Sequence, residues 1–359
     1  MINLLSMFSL LNFNKQHILI IRFSAMGDVV LTVPVIRNLL RSYPELQITI
    51  LTRPFFQTFF ENMPQVRCFP VDLKGRHHGF FGLKKLVDDI VKEQKIDLVL
   101  DLHSVMRTWT IGWFFRMKGI PVYKINKGRR QKRQLIEKGI ASFNTSMHQL
   151  PLPHTSERYH AVFANAGLEF DMEPAYLSVF QSVAKPKNKL AIGIAPFAAH
   201  ASKQWGIDKI YELIEKLLLQ YPNLEIYLFG GGKMEVETLQ LMAAYYPNVH
   251  NLAGKMSLKE EIQKISELQA FISMDSGNMH IATLTGIPVL SIWGGTHPDV
   301  GFSALYQPKE NDIQLSIEQM PCRPCSVFGT AHCTHVKPFA CMLDLGVDEV
   351  IKRLTVILR

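Results

Sequence analysis

Asp28 lies in the stretch RFSAMGDVVLTVP (22–34), directly after the apolar run HILIIR. A carboxylate there can cap the helix that follows, since Asp is a favoured N-cap. It can equally face a ligand, because open α/β folds bind ligands beyond the carboxyl ends of their strands. Further along, APFAAHASKQW (195–205) holds Lys203 in a loop of small residues. A flexible ammonium in such a loop can neutralise a phosphate. FGGGKMEVE (229–237) supplies Gly230, Gly231 and a third glycine. Without a Cβ, these let the backbone approach a ligand closely. In SMDSGNMHIATLTGIP (273–288), Asp275 can accept hydrogen bonds from sugar hydroxyls. Ser276 and Gly277 then open a helix whose free N–H groups favour a diphosphate, with His280 in its first turn. WGGTHPD (293–299) adds Thr296 as a hydroxyl donor. Taken singly, these residues have ordinary fates: a solvated lysine, a tight turn, a core histidine. No run spells G-x-x-x-x-G-K-[ST] or G-x-G-x-x-G. Together, four small-residue turns point to a nucleotide-type ligand.

Two other groups carry possible chemistry. Cys322, Cys325, Cys333 and Cys341 have the spacing C-x2-C-x7-C-x7-C, which can close a tetrahedral zinc site, with His332 and His335 as further ligands. A reduced, packed loop is the alternative, and it is the one preferred. No catalytic metal is expected, because no D-x-D pair stands near the glycine turns. The run Arg116 to Lys138 is dense in cations. Residues 1–180 carry 23 Lys and Arg against 14 Asp and Glu, whereas residues 181–359 carry 16 against 17. A basic half suggests an anionic partner such as nucleic acid, a lipid head group or an acidic glycan. A merely solvated basic face is the other reading.

The elements that must position these residues alternate strand and helix. HILIIR (17–22), QITILT (47–52) and DLVLDL (97–102) read as strands, and 29–42, 82–94 and 104–117 as helices. Short runs of Ile, Val and Leu suit parallel strands covered on both faces. FQSVAKPKNK (180–189) reads as a linker, after which the alternation restarts and runs to the amphipathic helix VDEVIKRLTVILR. The expected organisation is an α/β domain over 1–180, a second over 190–345, and a last helix over 346–359 that packs back on the first domain. Two such doubly wound, Rossmann-like domains would face each other across a cleft. With 359 residues and 47% hydrophobic content, the chain has ample material for two cores. Five cysteines in a chain this long do not form a secreted disulfide framework, so the cytoplasm is expected. The segment MINLLSMFSLLNFNK lacks a basic n-region and a cleavage site. It reads as a frayed tail or a membrane-surface contact rather than a signal peptide.

The order of IIRFSAMGDVVLTVPVIRNL, DLVLDLHSVMRT, SKQW, LFGGG, NLAGKMSLKE and MDSGNMHIATLTGIPVLSIWGGTHP resembles glycosyltransferase family 9, the bacterial heptosyltransferases of lipopolysaccharide core synthesis. The resemblance spans nearly the whole chain. It implies a two-domain GT-B fold and an inverting transfer from a nucleotide sugar, ADP-heptose, to an anionic glycolipid of the lipid A–Kdo type. It implies Asp28 as general base, with Ser24, Met26 and Gly27 of the same loop on the acceptor side. Lys203 would contact phosphate; Asp275, Gly277, Met279 and His280 would line the donor; and Glu235 would match a ribose-contacting acid. The family carries Thr after the lysine of LAGK, where this chain has Met256. That departure puts a hydroxyl contact at this point in doubt. His103 and Arg107, after DLVLDL, are acceptor-side candidates, with helix-cap packing as the alternative. Arg129, Arg130, Lys132 and Arg133 would meet the acceptor or an anionic leaflet at the inner face of the cytoplasmic membrane. Two rivals are a nucleic-acid-binding protein and a nucleotide-sugar epimerase or dehydrogenase. The first lacks any recognised nucleic-acid-binding pattern and the second lacks a dinucleotide fingerprint.

Overall fold

The structure is a computed structural model that describes residues 16–138, 151–175 and 190–359. The readings of the N-terminal tail and of the linker 180–189 lie outside the described residues. The chain divides into two compact units. Of the described residues, 16–127 and 155–175 form the first, while 128–138, 151–154 and 190–359 form the second. The boundary therefore differs from the expected 1–180: residues 128–138 and 151–154 belong with the second unit.

The first unit holds a five-stranded parallel sheet in the order β3-β2-β1-β4-β5. Its strands are β1 (His17–Ile21), β2 (Gln47–Leu51), β3 (Val66–Phe69), β4 (Leu98–Asp101) and β5 (Val122–Lys124). Ile18 to Ile21 are all fully buried, as a central parallel strand covered on both faces requires. Helices α1 (Met26–Val30), α2 (Thr32–Ser42), α3 (Gly79–Glu93) and α4 (Met106–Met117) follow strands or connect them. The single helix expected over 29–42 is two. α6 (Thr155–Asn165) returns to this unit, and Tyr159 at its centre is fully buried. The tail of that segment is tied down by Tyr43, whose hydroxyl donates to the carbonyl of Glu169 at 3.1 Å.

The second unit holds six parallel strands in the order β11-β10-β9-β6-β7-β8. They are β6 (Ala191–Ala195), β7 (Glu225–Leu228), β8 (Val249–Asn251), β9 (Ala270–Met274), β10 (Val289–Ile292) and β11 (Asp312–Ile313). The helices are α5 (Arg129–Lys138), α7 (Ile207–Gln220), α8 (Lys233–Tyr245), α9 (Leu258–Ser266), α10 (Gly277–Thr283), α11 (Ala340–Leu343) and α12 (Val347–Ile357). α7 buries Ile210, Leu213, Ile214 and Leu217, one stripe at helical spacing. α12 buries Val347, Val350 and Leu354 in this same core, with Trp205 and Leu213. Its apolar stripe is thus used within the second unit. Trp205 is fully buried, and its indole N–H donates to the carbonyl of Leu345 at 3.0 Å.

In both sheets the strand order reverses beside the first strand of the unit. The crevice lies between β1 and β4 in one sheet and between β6 and β9 in the other. Ligands of open α/β sheets bind outside the carboxyl ends of the strands at such a point. Among the described residues, no helix is long and apolar enough to cross a membrane.

Candidate active site

In the first unit, the loops after β1 and β4 flank the reversal. Arg22 leaves β1 and is buried. Its guanidinium donates to the carbonyl of Leu102 at 2.6 Å, which ties the two loops together. The other arm pairs with Asp28 Oδ2 at 2.5 Å. Asp28 sits third in α1, and the same oxygen accepts the Ala25 N–H at 3.3 Å. The carboxylate is therefore partly a cap, and it is also oriented by a buried cation. Asp28 stays about a fifth exposed, and among the described residues Oδ1 has no partner. From below, the Tyr159 hydroxyl donates to the Asp28 carbonyl at 3.1 Å. Burial pushes that phenol's pKa well above its ordinary value. Ser24 and Met26 are half-buried beside Asp28, and Gly27 is buried.

The loop after β4 is organised by Asp101, which the sequence reading passed over. Its Oδ1 accepts the N–H groups of His103 at 2.9 Å and Ser104 at 2.8 Å. Its Oδ2 accepts the Thr108 hydroxyl at 2.8 Å. Burial raises the pKa of Asp101, while these donors oppose the rise. His103 is half-buried and its pKa falls to about 3, first through burial and then through Arg22, Lys127, Arg107 and Arg53. It is thus a neutral imidazole in a cationic neighbourhood. His103 Nδ1, Arg22 Nε and Thr52 Oγ1 are buried without a hydrogen-bond partner among the described residues. All three follow the carboxyl ends of neighbouring strands, and buried polar atoms are ordinarily satisfied. That edge is built to receive a polar ligand. Arg107 is exposed at the start of α4.

In the second unit, the loops after β6 and β9 carry the expected donor residues. Lys203 Nζ meets Asp275 Oδ2 at 2.9 Å, with both side chains nearly buried. The ammonium and carboxylate thus span the reversal between β6 and β9. The Thr296 hydroxyl, from the turn after β10, donates to the same Oδ2 at 2.7 Å. Thr296 was expected as a ligand donor; it is buried and its proton is engaged, so it positions Asp275 instead. Ser276 caps α10 without a side-chain bond, and its hydroxyl lies 3.2 Å from that of Ser273. Gly277 opens the first turn, whose N–H groups lack intrahelical acceptors. Met279 is fully buried, so its side chain does not line a ligand and only its main-chain N–H is at the helix start. His280 is buried too, and its pKa falls to about 3 through burial, His154 and Lys203. Its Nδ1 has no partner among the described residues.

The glycine turn after β7 is capped by Glu235, whose Oε2 accepts the Gly231 N–H at 2.7 Å. That oxygen would stand 3.0 Å from a Cβ on Gly230, and Gly232 takes a φ of +90°, which favours glycine. The turn after β10 is held by Arg323, which the sequence reading also left unused. This guanidinium is fully buried. It donates to the carbonyls of Gly294, Leu315 at 2.6 Å and Thr296 at 3.0 Å, and to Gln314 Oε1 at 2.7 Å. Burial lowers its pKa to about 10, while the neighbouring cysteines oppose the fall.

Arg323 lies inside the cysteine motif. Cys322, Cys325, Cys333 and Cys341 are all free thiols. They line one cavity of about 430 Å³ with His332 and His335. Among the described residues, no three His, Cys, Asp or Glu side chains are grouped as a metal would need. What the motif visibly does is pack. Cys325 N–H donates to Gly295 O at 2.9 Å, and Thr330 N–H to the Ser202 hydroxyl at 2.9 Å. The loop thereby closes against the segment that carries Lys203.

The basic quartet is divided. Arg129, Arg130, Lys132 and Arg133 start α5, which belongs to the second unit rather than the first. Lys132 is buried with its ammonium 4.1 Å over the Phe302 ring, so it faces neither acceptor nor leaflet. Arg133 pairs with Glu137 at 2.7 Å. Arg129 and Arg130 are exposed.

Comparison with known proteins agrees with this fold. Lipopolysaccharide core heptosyltransferase OpsX of Haemophilus influenzae is 26% identical over 297 residues, covering 79% of this chain and 80% of the relative. Lipooligosaccharide heptosyltransferase 2 of Campylobacter jejuni is 25% identical over 336 residues, covering 92% and 95%. The solved structure of Escherichia coli ADP-heptose lps heptosyltransferase II has the same fold, with a TM-score of 0.67 at 20% identity over 96% of this chain and 98% of that one. The family model described as glycosyltransferase family 9 (heptosyltransferase) matches residues 88–329, two thirds of the chain, and the chain belongs to that family.

Proposed function

We propose that this glycosyltransferase moves a heptose from ADP-heptose to a lipopolysaccharide core acceptor of the lipid A–Kdo type, with inversion at the anomeric carbon. Family membership supplies the reaction class. The named activities of the relatives support the sugar and the acceptor. The observation that carries the reading is the buried Lys203–Asp275 pair, set across the strand reversal of the second sheet and backed by Thr296. Such a site suits a sugar nucleotide: the ammonium meets the diphosphate and the carboxylate accepts from hydroxyls.

In the transfer, the acceptor hydroxyl attacks the anomeric carbon from the face opposite the diphosphate. The new C–O bond forms as the bond to the diphosphate oxygen breaks. Asp28 takes the hydroxyl proton on Oδ1, while Arg22 and the Ala25 N–H hold Oδ2. Lys203 and the N–H groups at Gly277 meet the charge that develops on the departing ADP, so no acid is needed there. Neutral His103 and cationic Arg107 serve the acceptor side. The enzyme works at the cytoplasmic face of the inner membrane, where a lipid-borne acceptor is found.

The test is titration calorimetry with ADP-, UDP- and GDP-sugars. The ADP sugar binds most tightly, and Lys203→Ala weakens all three alike, because the diphosphate is common to them. Tighter binding of a UDP or GDP sugar sinks the donor assignment and leaves a family 9 transferase with another substrate.

A further inference from the structure

α4 is apolar on both sides. Its inner face buries Ile111, Phe114 and Phe115, as a helix on a sheet must. Its outer face carries Met106, Trp109, Trp113 and Met117, at helical spacing along one stripe. Phe80 and Phe81 from the start of α3 extend the stripe sideways. The rings of Phe80 and Trp113 lie 6.2 Å apart. These six side chains are between 46% and 83% exposed. Between them runs a shallow groove of about 370 Å³, lined by Phe80, Met106, Trp109, Thr110 and Trp113. Soluble monomers rarely expose a contiguous apolar patch of this kind without a use for it.

The charge around the patch indicates its occupant. From Leu102 to Lys127 the chain carries five Lys and Arg and no Asp or Glu. Arg107 stands on the helix between Met106 and Trp109, and Lys85 is exposed one turn beyond Phe81. Lys124 lies 6.0 Å from the Trp109 ring. Trp109 is itself tethered, its N–H donating to the Ser104 hydroxyl at 3.1 Å. Lys118 pairs with Asp88 of α3 at 2.9 Å, and the surface still keeps an excess of cations. Half-exposed tryptophans, outward methionine and phenylalanine, and such an excess are the chemistry of the bilayer interface. We infer that the outer face of α4, with Phe80 and Phe81, docks on an anionic lipid bilayer surface. This rests on the proposed reading for its purpose: α4 carries Arg107 in its first turn and follows directly on the loop of His103, so docking sets the acceptor loop at the membrane. The surface differs from the α5 cations that the sequence favoured.

The test is flotation of the full chain with vesicles of phosphatidylglycerol and phosphatidylcholine, and with phosphatidylcholine alone. The native protein floats with the anionic vesicles, and its tryptophan emission shifts to shorter wavelength. Trp205 and Trp293 are fully buried, so the shift reports Trp109 and Trp113. The double variant Phe81→Asp, Met117→Asp partitions about tenfold or more weakly. It keeps its melting temperature and its turnover of an acceptor oligosaccharide stripped of acyl chains. Unchanged flotation of the variant overturns the inference. So does native protein that ignores anionic vesicles, that floats only when acceptor lipid is present, or whose oligomeric state alone responds to the substitutions. Turnover of the stripped acceptor reads the transferase assignment separately, so the two failures are distinguishable.

Discussion

Asp28 unites the two roles its position offers. One oxygen is spent on Arg22 and on the helix start, and the other is left for chemistry. Asp28→Asn keeps the cap and the shape but removes the base. Turnover is expected to fall by about 10²–10⁴-fold with donor binding unchanged, read by steady-state rates beside calorimetry. Lys203→Ala acts on the donor instead. Losing one charge-assisted contact to the diphosphate costs about 1.5–3 kcal/mol, so ADP binding weakens about 10–100-fold. The buried imidazoles set the response to acid. His280 and His297 have pKa values lowered to about 3 and about 4 from 6.5, chiefly by burial. The unfolded chain therefore binds more protons between those values. The contribution of these two groups is complete above pH 6.5 and is lost as pH falls toward 3, at up to about 1.4 kcal/mol per pH unit for each, while Glu261 and Asp312, raised by burial to about 7 and about 6, act in the opposite direction. His280→Leu is expected to flatten that loss in chemical denaturation curves measured from pH 7 to pH 4.

At the scale of elements, the site depends on loops that follow strands and on the anchors that stiffen them. Arg323 is the anchor with the most partners: three carbonyls and one amide oxygen converge on it. Lysine lacks the planar fork and cannot reach them all. Arg323→Lys is expected to cost about 3 kcal/mol or more in thermal denaturation and to weaken ADP binding, because the turn that presents Thr296 to Asp275 is released. The cysteine motif thus supports the proposed donor site by carrying this arginine. α5 is held differently. Leu135 and Leu152 form a small cluster with Val300, under the cation of Lys132. That cluster explains why residues 128–138 and 151–154 belong with the second unit. Its basic residues had suggested the first.

Across the whole molecule, charge and apolar surface are distributed by function. The first unit carries the exposed aromatic stripe among cations, and the second carries the buried Lys203–Asp275 pair of the proposed donor site. Because each unit has its own sheet and core, ADP is expected to raise the melting transition of the second unit. At about a hundred times its dissociation constant the gain is about 2.7 kcal/mol, visible as an upward shift in scanning calorimetry. Lys203→Ala shrinks the gain to about 0.4–1.4 kcal/mol at the same ADP concentration, and it lowers the ligand-free transition because the buried Asp275 loses its partner. An ADP-insensitive native trace contradicts a donor site in that unit.

Much was legible in the chain alone. Central parallel strands are apolar throughout, so HILII, AIGIA and AFISM announce themselves, and each is followed by a short turn rich in small residues. Asp28, Lys203 and Asp275 were found because each stands just past such a strand. The edge strands Val66–Phe69, Val122–Lys124, Val249–Asn251 and Asp312–Ile313 were missed, since they are short and partly exposed and lack that composition. Tertiary structure alone decided the partnerships. Arg22, Tyr159 and Arg323 act through groups far away in sequence, as Tyr159 does on Asp28, and no local spacing records that distance. It also decided that Thr296 serves Asp275 and that Lys132 is buried. A side chain's type states what it can do, but its neighbours, brought together by the packing of sheet and helix, determine what remains free to do it.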